Sequence, residues 1–219
     1  VASIAEWIEG ARPRTLPAAI APVIAGAGVT GYTGTTLSTG EIVRNGLLAL
    51  LVALALQIGV NYFNDYSDGV RGTDEVRVGP VRLVGQGLAP AKQVRTAALV
   101  SLAVAAIAGL ALILLSGQWI LLPIGIAAVL SAYGYTGGAR PYGYIGLGEL
   151  FVFVFFGPVA VCGTTLVTGG GVWPVSAAVS VAIGLLTVNI LVANNLRDRE
   201  LDEQSGKHTL AVRLGDDHT

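Results

Sequence analysis

Two short acidic strings carry the chemistry available to this sequence. The first is Asn64-Asp65-Tyr66-Ser67-Asp68; the second runs from Asn194-Asn195-Leu196-Arg197-Asp198 through Arg199-Glu200-Leu201-Asp202. On a helix, Asn64 and Asp68 are four apart and Asp65 and Asp68 three apart, so all three project toward nearly one face. Asn194, Asp198 and Asp202 form an i, i+4, i+8 ladder, again on one face. Carboxylates held in such register repel one another and resist ionisation unless a cation sits between them. Hard oxygen ligands suit Mg²⁺, which is typically held by one or two carboxylates together with substrate phosphates. The surrounding Arg71, Arg77, Arg82, Arg140 and Arg197 bring guanidinium forks that match phosphate oxygens. Carboxylates, Mg²⁺ and arginines around one pocket describe a diphosphate site. A single polar helix end is often no more than a solvated cap, whereas two in helical register argue for function.

The elements that must position these strings are membrane helices. The chain is 53% hydrophobic and 12% charged, with a mean hydropathy of +0.68; soluble domains carry about twice that charged fraction. Long apolar runs read as bilayer spans, because only a helix satisfies its own backbone in hydrocarbon. Six spans are expected, near 15–34, 46–64, 95–116, 118–136, 147–168 and 173–195. The fold class is therefore all-α, a polytopic transmembrane helical bundle, with 1–219 forming one membrane-embedded domain. Thirty glycines fit helices that approach closely. Before the first span, Ile4, Trp7, Ile8 and Ala11 recur at helical spacing, consistent either with an interfacial helix or with a frayed amphipathic end. Cys162, in an apolar run, reads as packing, and Asn189 as a buried amide bonded to a neighbouring helix.

Charge sets the expected orientation. Arg12 and Arg14 precede the first span, Arg71, Arg77, Arg82, Lys92 and Arg95 occupy the second-to-third connection, and Arg197, Arg199, Lys207 and Arg213 follow the sixth. The opposite side carries only Arg44. Basic residues mark the cytoplasmic side, which places both ends and the long loops there. The carboxylates crowd onto the same side, with only Glu41 opposite. Acidic residues contribute little to orientation, so their crowding points to a function at the cytoplasmic mouth.

Asn64-Asp65-x-x-Asp68 followed by Gly72-Thr73-Asp74 resembles the first acidic motif of the UbiA superfamily of intramembrane prenyltransferases, and Asp198-x-x-x-Asp202 resembles its second. Ala11-Arg12-Pro13-Arg14-Thr15-Leu16-Pro17, Asn61 through Asp68, Arg140 through Glu149, and Asn194 through Lys207 look like the menaquinone-pathway branch. The sequence departs from the superfamily at Gly72, where a third Asp is common and Asp74 takes its place. It departs again in lacking the Lys of a Tyr-x-x-x-Lys element; Tyr133, Tyr135 and Arg140 occupy that region. The superfamily has nine spans, so the resemblance implies three beyond the C-terminal end of these six.

The resemblance implies a UbiA-like fold in a bacterial cytoplasmic membrane and transfer of a polyprenyl group from polyprenyl diphosphate to an aromatic acceptor, 1,4-dihydroxy-2-naphthoate. The expected metal ligands for Mg²⁺ are Asn64, Asp65, Asp68, Asp198 and Asp202, the four carboxylates among them being catalytic. Expected substrate contacts from the basic segments are Arg14, Arg71, Arg77, Arg82, Arg140, Arg197 and Lys207. Asn61, Asp74, Tyr135 and Asn194 complete them. Tyr133, Tyr135 and Phe63 could offer π faces to an allylic cation. A transporter is the rival class, but its ionisable residues should lie within the spans, whose interiors here lack Asp, Glu, Lys and Arg.

Overall fold

A computed structural model describes residues 2–72, 81–137 and 141–215, and every regular element among them is helical. Asp74, Arg77 and Arg140 lie outside the described residues. Helix α1, Ile4–Gly10, is closed by a capping box in which the Ser3 hydroxyl accepts from the Glu6 N–H while the Glu6 carboxylate accepts from the Ser3 N–H. Its Trp7 lies 5.7 Å from the Tyr62 ring and accepts the Tyr62 hydroxyl on its carbonyl at 2.8 Å. The amphipathic N-terminus is thus a formed helix seated on the second span. At Arg12 the backbone turns left-handed, φ 55°, which breaks the chain before α2, Leu16–Thr33.

Helix α3, Thr39–Arg71, runs 33 residues from a Ser38–Glu41 capping box. At 1.5 Å per residue that is about 50 Å, well beyond the ~30 Å hydrocarbon thickness, so its last turns project from the membrane in unbroken register. Helices α4, Ala91–Ser116, α6, Gly148–Gly169, and α7, Pro174–Arg197, are the other long apolar helices, making five of spanning length with the α1–α2 segment. The expected fourth span is α5, Leu121–Gly134, of 14 residues. Its rise of about 21 Å is less than a full crossing, because Tyr135 onward is committed to the polar mouth. Two short helices follow α7: α8, Arg199–Gln204, and α9, Leu210–Leu214.

Small residues set the helix spacings. A Cβ on Gly157 of α6 would lie 2.6 Å from the Ser180 carbonyl and 3.0 Å from Gly184 Cα, both on α7. Only backbone fits between α6 and α7 there. Residues Phe155–Cys162 around this contact are wound as a π-helix; the wider turn accommodates Pro158, which lacks an N–H and would clash in a tighter one. Threonine hydroxyls tie α2 to α6, with Thr30 and Thr168 2.7 Å apart. At the end of the bundle remote from the acidic strings, Asn45 donates to the Val167 carbonyl at 2.6 Å. Asn189, expected to bond a neighbouring helix, is instead exposed on α7, its side chain without a hydrogen bond among the described residues; Thr187 and Gly184 lie on the buried side of that helix.

Candidate active site

The ends of α3 and α7 meet around the mouth of one large cavity of about 1570 Å³. Its body is lined by aliphatic residues of α2 to α7, among them Val52, Leu112, Leu122 and Val159, and its mouth by polar groups. Of the expected site residues, Arg14, Asn61, Asn64, Asp68, Arg82, Tyr135, Asn194, Arg197, Asp198, Asp202 and Lys207 all border it.

Asp68 is the most constrained of these. It is 3% exposed; Oδ1 accepts the Tyr144 hydroxyl at 2.6 Å and Oδ2 the Lys207 ammonium at 2.9 Å. The Tyr144 ring in turn meets two cations, with Lys207 Nζ 4.7 Å and Arg71 Cζ 5.0 Å from its centroid. Burial pushes the Tyr144 phenol up from its ordinary range, and the adjacent Asp68 charge adds to this, so it stays protonated and donates. Lys207 reaches Asp68 because the chain turns after α8 and returns: its N–H donates to the Asp202 carbonyl at 2.8 Å, and the next N–H, of His208, to the Tyr144 carbonyl at 2.9 Å.

The second ladder keeps its spacing across a joint. Helix α7 stops at Arg197, and Asp198 turns the chain into α8, yet the N–H of Asp198 still donates to Asn194 O at 3.1 Å and that of Asp202 to Asp198 O at 2.9 Å. Asp198 and Asp202 are buried. The half-exposed Arg197 grips Asp198 through two parallel bonds, Nε–Oδ1 2.8 Å and Nη2–Oδ2 2.9 Å.

Several expected site residues stand outside the cavity lining. Asp65 does not line the cavity: its Oδ2 accepts from the Leu83 N–H at 2.7 Å and its Oδ1 from the Val84 N–H at 3.0 Å. The reason lies in helical register. Asp65 and Gly69 are four apart and share the face on which the 81–89 loop rests, where a Gly69 Cβ would lie 2.6 Å from Val84 Cβ. Asn61, Asn64 and Asp68 take the adjacent face toward the cavity. Arg71 is likewise outside the lining, exposed and donating to the Thr136 carbonyl at 2.9 Å. Among the three π candidates, Phe63 and Tyr133 pack on each other at 5.2 Å away from the cavity, and only Tyr135 faces it.

Sequence reasoning missed several groups. Arg12 borders the cavity from its left-handed turn, held by the Thr15 N–H and hydroxyl, each donating to its carbonyl at 2.9 Å. Tyr144 was visible only as an aromatic residue in a basic connection. Thr136, whose hydroxyl donates to Asn64 Oδ1 at 2.9 Å, fixes the Asn64 amide. The buried Glu149 and the partly buried Asn195 are hydrogen-bonded to each other.

The oxygen donors fit a hard divalent cation. Asp68, Asp198 and Asp202, with the amides of Asn64 and Asn194, border one mouth, yet no three His, Cys, Asp or Glu side chains converge into a closed cage among the described residues. An incomplete protein donor set is what Mg²⁺ shared with phosphate oxygens requires.

Residues 19–219 match the UbiA prenyltransferase family. The chain belongs to that family. It is 56% identical over 219 residues to the 1,4-dihydroxy-2-naphthoate octaprenyltransferase of Mycobacterium tuberculosis, a match covering 100% of this chain and 73% of that one. The enzyme of the same name from Escherichia coli is 38% identical over 216 residues, covering 96% of this chain and 68% of its own. Among solved structures, a UbiA homolog from Archaeoglobus fulgidus bound to DMAPP and Mg²⁺ superposes with a TM-score of 0.70 at 18% identity, over 96% of this chain and 69% of that one. That likeness is one of fold. In the UbiA family fold seen here, the two acidic segments close one end of an apolar chamber.

Proposed function

We propose that this chain transfers a polyprenyl group from polyprenyl diphosphate to 1,4-dihydroxy-2-naphthoate. The products are demethylmenaquinol, CO₂ and diphosphate, and the reaction faces the cytoplasmic side of a bacterial membrane. The observation that carries the reaction class is the division of a single cavity into an apolar body and a mouth of carboxylates and cations. The acceptor is supported by the 56% identity to the Mycobacterium tuberculosis enzyme along the whole chain.

The isoprenoid tail lies in the apolar body, where water is excluded from the allylic centre. The diphosphate lies at the mouth, where Arg12, Arg14, Arg82, Arg197 and Lys207 meet its negative oxygens. Asp68, Asp198 and Asp202 would hold Mg²⁺ at the mouth, where the ion would supply electrostatic stabilisation of charge on the leaving diphosphate. As the allylic C–O bond breaks, its electron pair leaves with diphosphate. Ring π electrons of the acceptor form the new C–C bond, and the pair of the C–CO₂ bond returns to the ring as CO₂ departs. Tyr144 and Lys207 hold Asp68 in place throughout. Asp65 supports the site indirectly, by fixing the loop that carries Arg82.

The test is turnover by the purified chain with a long-chain polyprenyl diphosphate and carboxyl-labelled 1,4-dihydroxy-2-naphthoate. One CO₂ released per prenyl group transferred, abolished by EDTA and restored by Mg²⁺, is expected. Prenylation of 4-hydroxybenzoate or homogentisate in preference would replace the acceptor, and chelator-insensitive turnover would remove the metal.

A further inference from the structure

Glu149 is a carboxylate 8% exposed at the start of α6, and the reaction just described does not use it. Among the described residues its carboxylate has one hydrogen bond, from Asn195 Nδ2 at 2.9 Å to Oε1. A carboxylate accepts and does not donate, so the pairing fixes which way round the Asn195 amide lies: the NH₂ faces Glu149 and the carbonyl oxygen is left over. Among the described residues that oxygen has no hydrogen-bond partner. Asn195 borders the cavity. The result is an amide held in one orientation on a residue that borders the cavity, its oxygen polarised by the anion behind it.

The surrounding wall is aromatic. Tyr142 stacks on Phe151 with ring centroids 4.0 Å apart and planes inclined by 22°. Tyr135 meets Tyr142 edge-on at 5.4 Å, and Phe155 continues the row 6.2 Å beyond Phe151. All four border the cavity. Tyr135 is seated against the backbone that carries Glu149, since a Cβ on Gly148 would meet its ring at 3.5 Å. Along α7, Asn195 lies three residues before Asp198, a rise of about 4.5 Å toward the membrane interior. A ring held at Asn195 therefore sits beside the allylic carbon of a chain whose diphosphate is at Asp198.

We propose that the Glu149–Asn195 pair, together with the Tyr135–Tyr142–Phe151 wall, is the subsite for a planar hydroxyarene, and that Asn195 Oδ1 accepts a hydrogen bond from a ring hydroxyl. This rests on the prenyl-transfer reading above and adds to it the residue that selects the acceptor. A hydroxyl donating to a polarised amide oxygen leaves more electron density on the ring, which favours its attack on an allylic cation. The pair also discriminates. An analogue without that hydroxyl leaves Asn195 Oδ1 desolvated and unpaired, a loss of about tenfold or more in affinity.

The test is direct binding, without turnover, of 1,4-dihydroxy-2-naphthoate, 1-hydroxy-2-naphthoate and 4-hydroxy-2-naphthoate to the full chain in detergent, by anaerobic titration calorimetry. One of the two monohydroxy ligands should bind about tenfold more weakly than the dihydroxy ligand. Asn195→Leu should lower dihydroxynaphthoate affinity to that weaker value and erase the difference. Glu149→Gln, whose amide lets Asn195 adopt either orientation, should reduce the difference partway, with binding of polyprenyl diphosphate unchanged in both variants. Equal affinity of all three ligands for the wild-type chain would overturn the proposal. So would an Asn195→Leu defect that falls on polyprenyl diphosphate instead. Wild-type preference for 4-hydroxybenzoate, lost in Asn195→Leu, would sustain the hydroxyl-reading pair while refuting the naphthoate acceptor.

Discussion

Replacing Tyr144 by Phe removes one hydroxyl and nothing else, and the structure makes the consequence calculable. That hydroxyl donates at 2.6 Å to Asp68 Oδ1, and Asp68 is 3% exposed, so water cannot replace it cheaply. A hydrogen bond to a charged group contributes about 1.5–3 kcal/mol. If that orientation is needed only when diphosphate departs, kcat/KM should fall roughly 10- to 150-fold. The ring remains in Tyr144→Phe, so Lys207 at 4.7 Å and Arg71 at 5.0 Å keep their π partner. Tyr144→Leu removes that as well. Cation–π contacts contribute about 0.5–2 kcal/mol each, the buried Lys207 toward the upper end and the exposed Arg71 toward the lower. A further loss of roughly tenfold or more is therefore expected in the Leu variant. The assay is steady-state prenyl transfer across a Mg²⁺ titration, beside thermal unfolding in detergent. Both variants should remain folded, because Tyr144 joins the Lys207 segment through its backbone carbonyl, which neither variant alters, with the unfolding temperature lowered modestly in Tyr144→Phe and further in Tyr144→Leu. Wild-type turnover in Tyr144→Phe, or identical kinetics in the Phe and Leu variants, would refute this reasoning.

Substitutions at three further positions separate structure from chemistry. Asp65→Ala should lower the unfolding temperature, since it strands the Leu83 and Val84 N–H groups at a cost of about 1–3 kcal/mol each; Asp65→Asn, which keeps one acceptor oxygen, should lose less. Asp68→Asn, which keeps one acceptor oxygen where Asp68→Ala would leave the buried Lys207 ammonium without its carboxylate, should show the opposite balance, with turnover abolished and the smaller change in unfolding temperature. Gly157→Ala, whose Cβ would lie 2.6 Å from the Ser180 carbonyl, should force α6 from α7 and destabilise by about 1–3 kcal/mol, read as a lower unfolding temperature without a change in acceptor preference.

The membrane helices were legible because hydrocarbon imposes one rule, an apolar helix of about 20 residues, and composition alone reports it. Their ends were less so. Helix α3 continues through Asn61–Arg71 because the polar residues beyond the bilayer retain helical register, and hydropathy has no term for a helix that leaves the membrane intact. Helix α5 is shorter than its apolar run suggested, because Gly137 and the turn after it serve the mouth; a Gly137 Cβ would sit 2.5 Å from the Tyr133 carbonyl. The i+4 spacing of the second ladder persists across the joint at Asp198, where the backbone hydrogen bonds continue.

The site was legible only as far as helical register reaches. Three residues per string can be assigned to a face within about 60°, and that margin is what separates Asp68, at the cavity, from Asp65, under a loop. Deciding between them needs the segment Leu83–Val84, whose docking on α3 no spacing within α3 reports. Lys207 and Asp68 are 139 residues apart in sequence, and their pairing follows from the turn after α8, a tertiary fact. The same holds for Glu149 and Asn195. Each alone is an ordinary polar residue near a span end; together they hold one amide in a single orientation on a residue that borders the cavity. Catalytic geometry in this fold is thus written in two registers. The carboxylates proposed to receive a cation are spaced along single helices, where sequence shows them. The groups that bond those carboxylates, and the pair proposed to select the acceptor, are spaced between helices, where only packing brings them together.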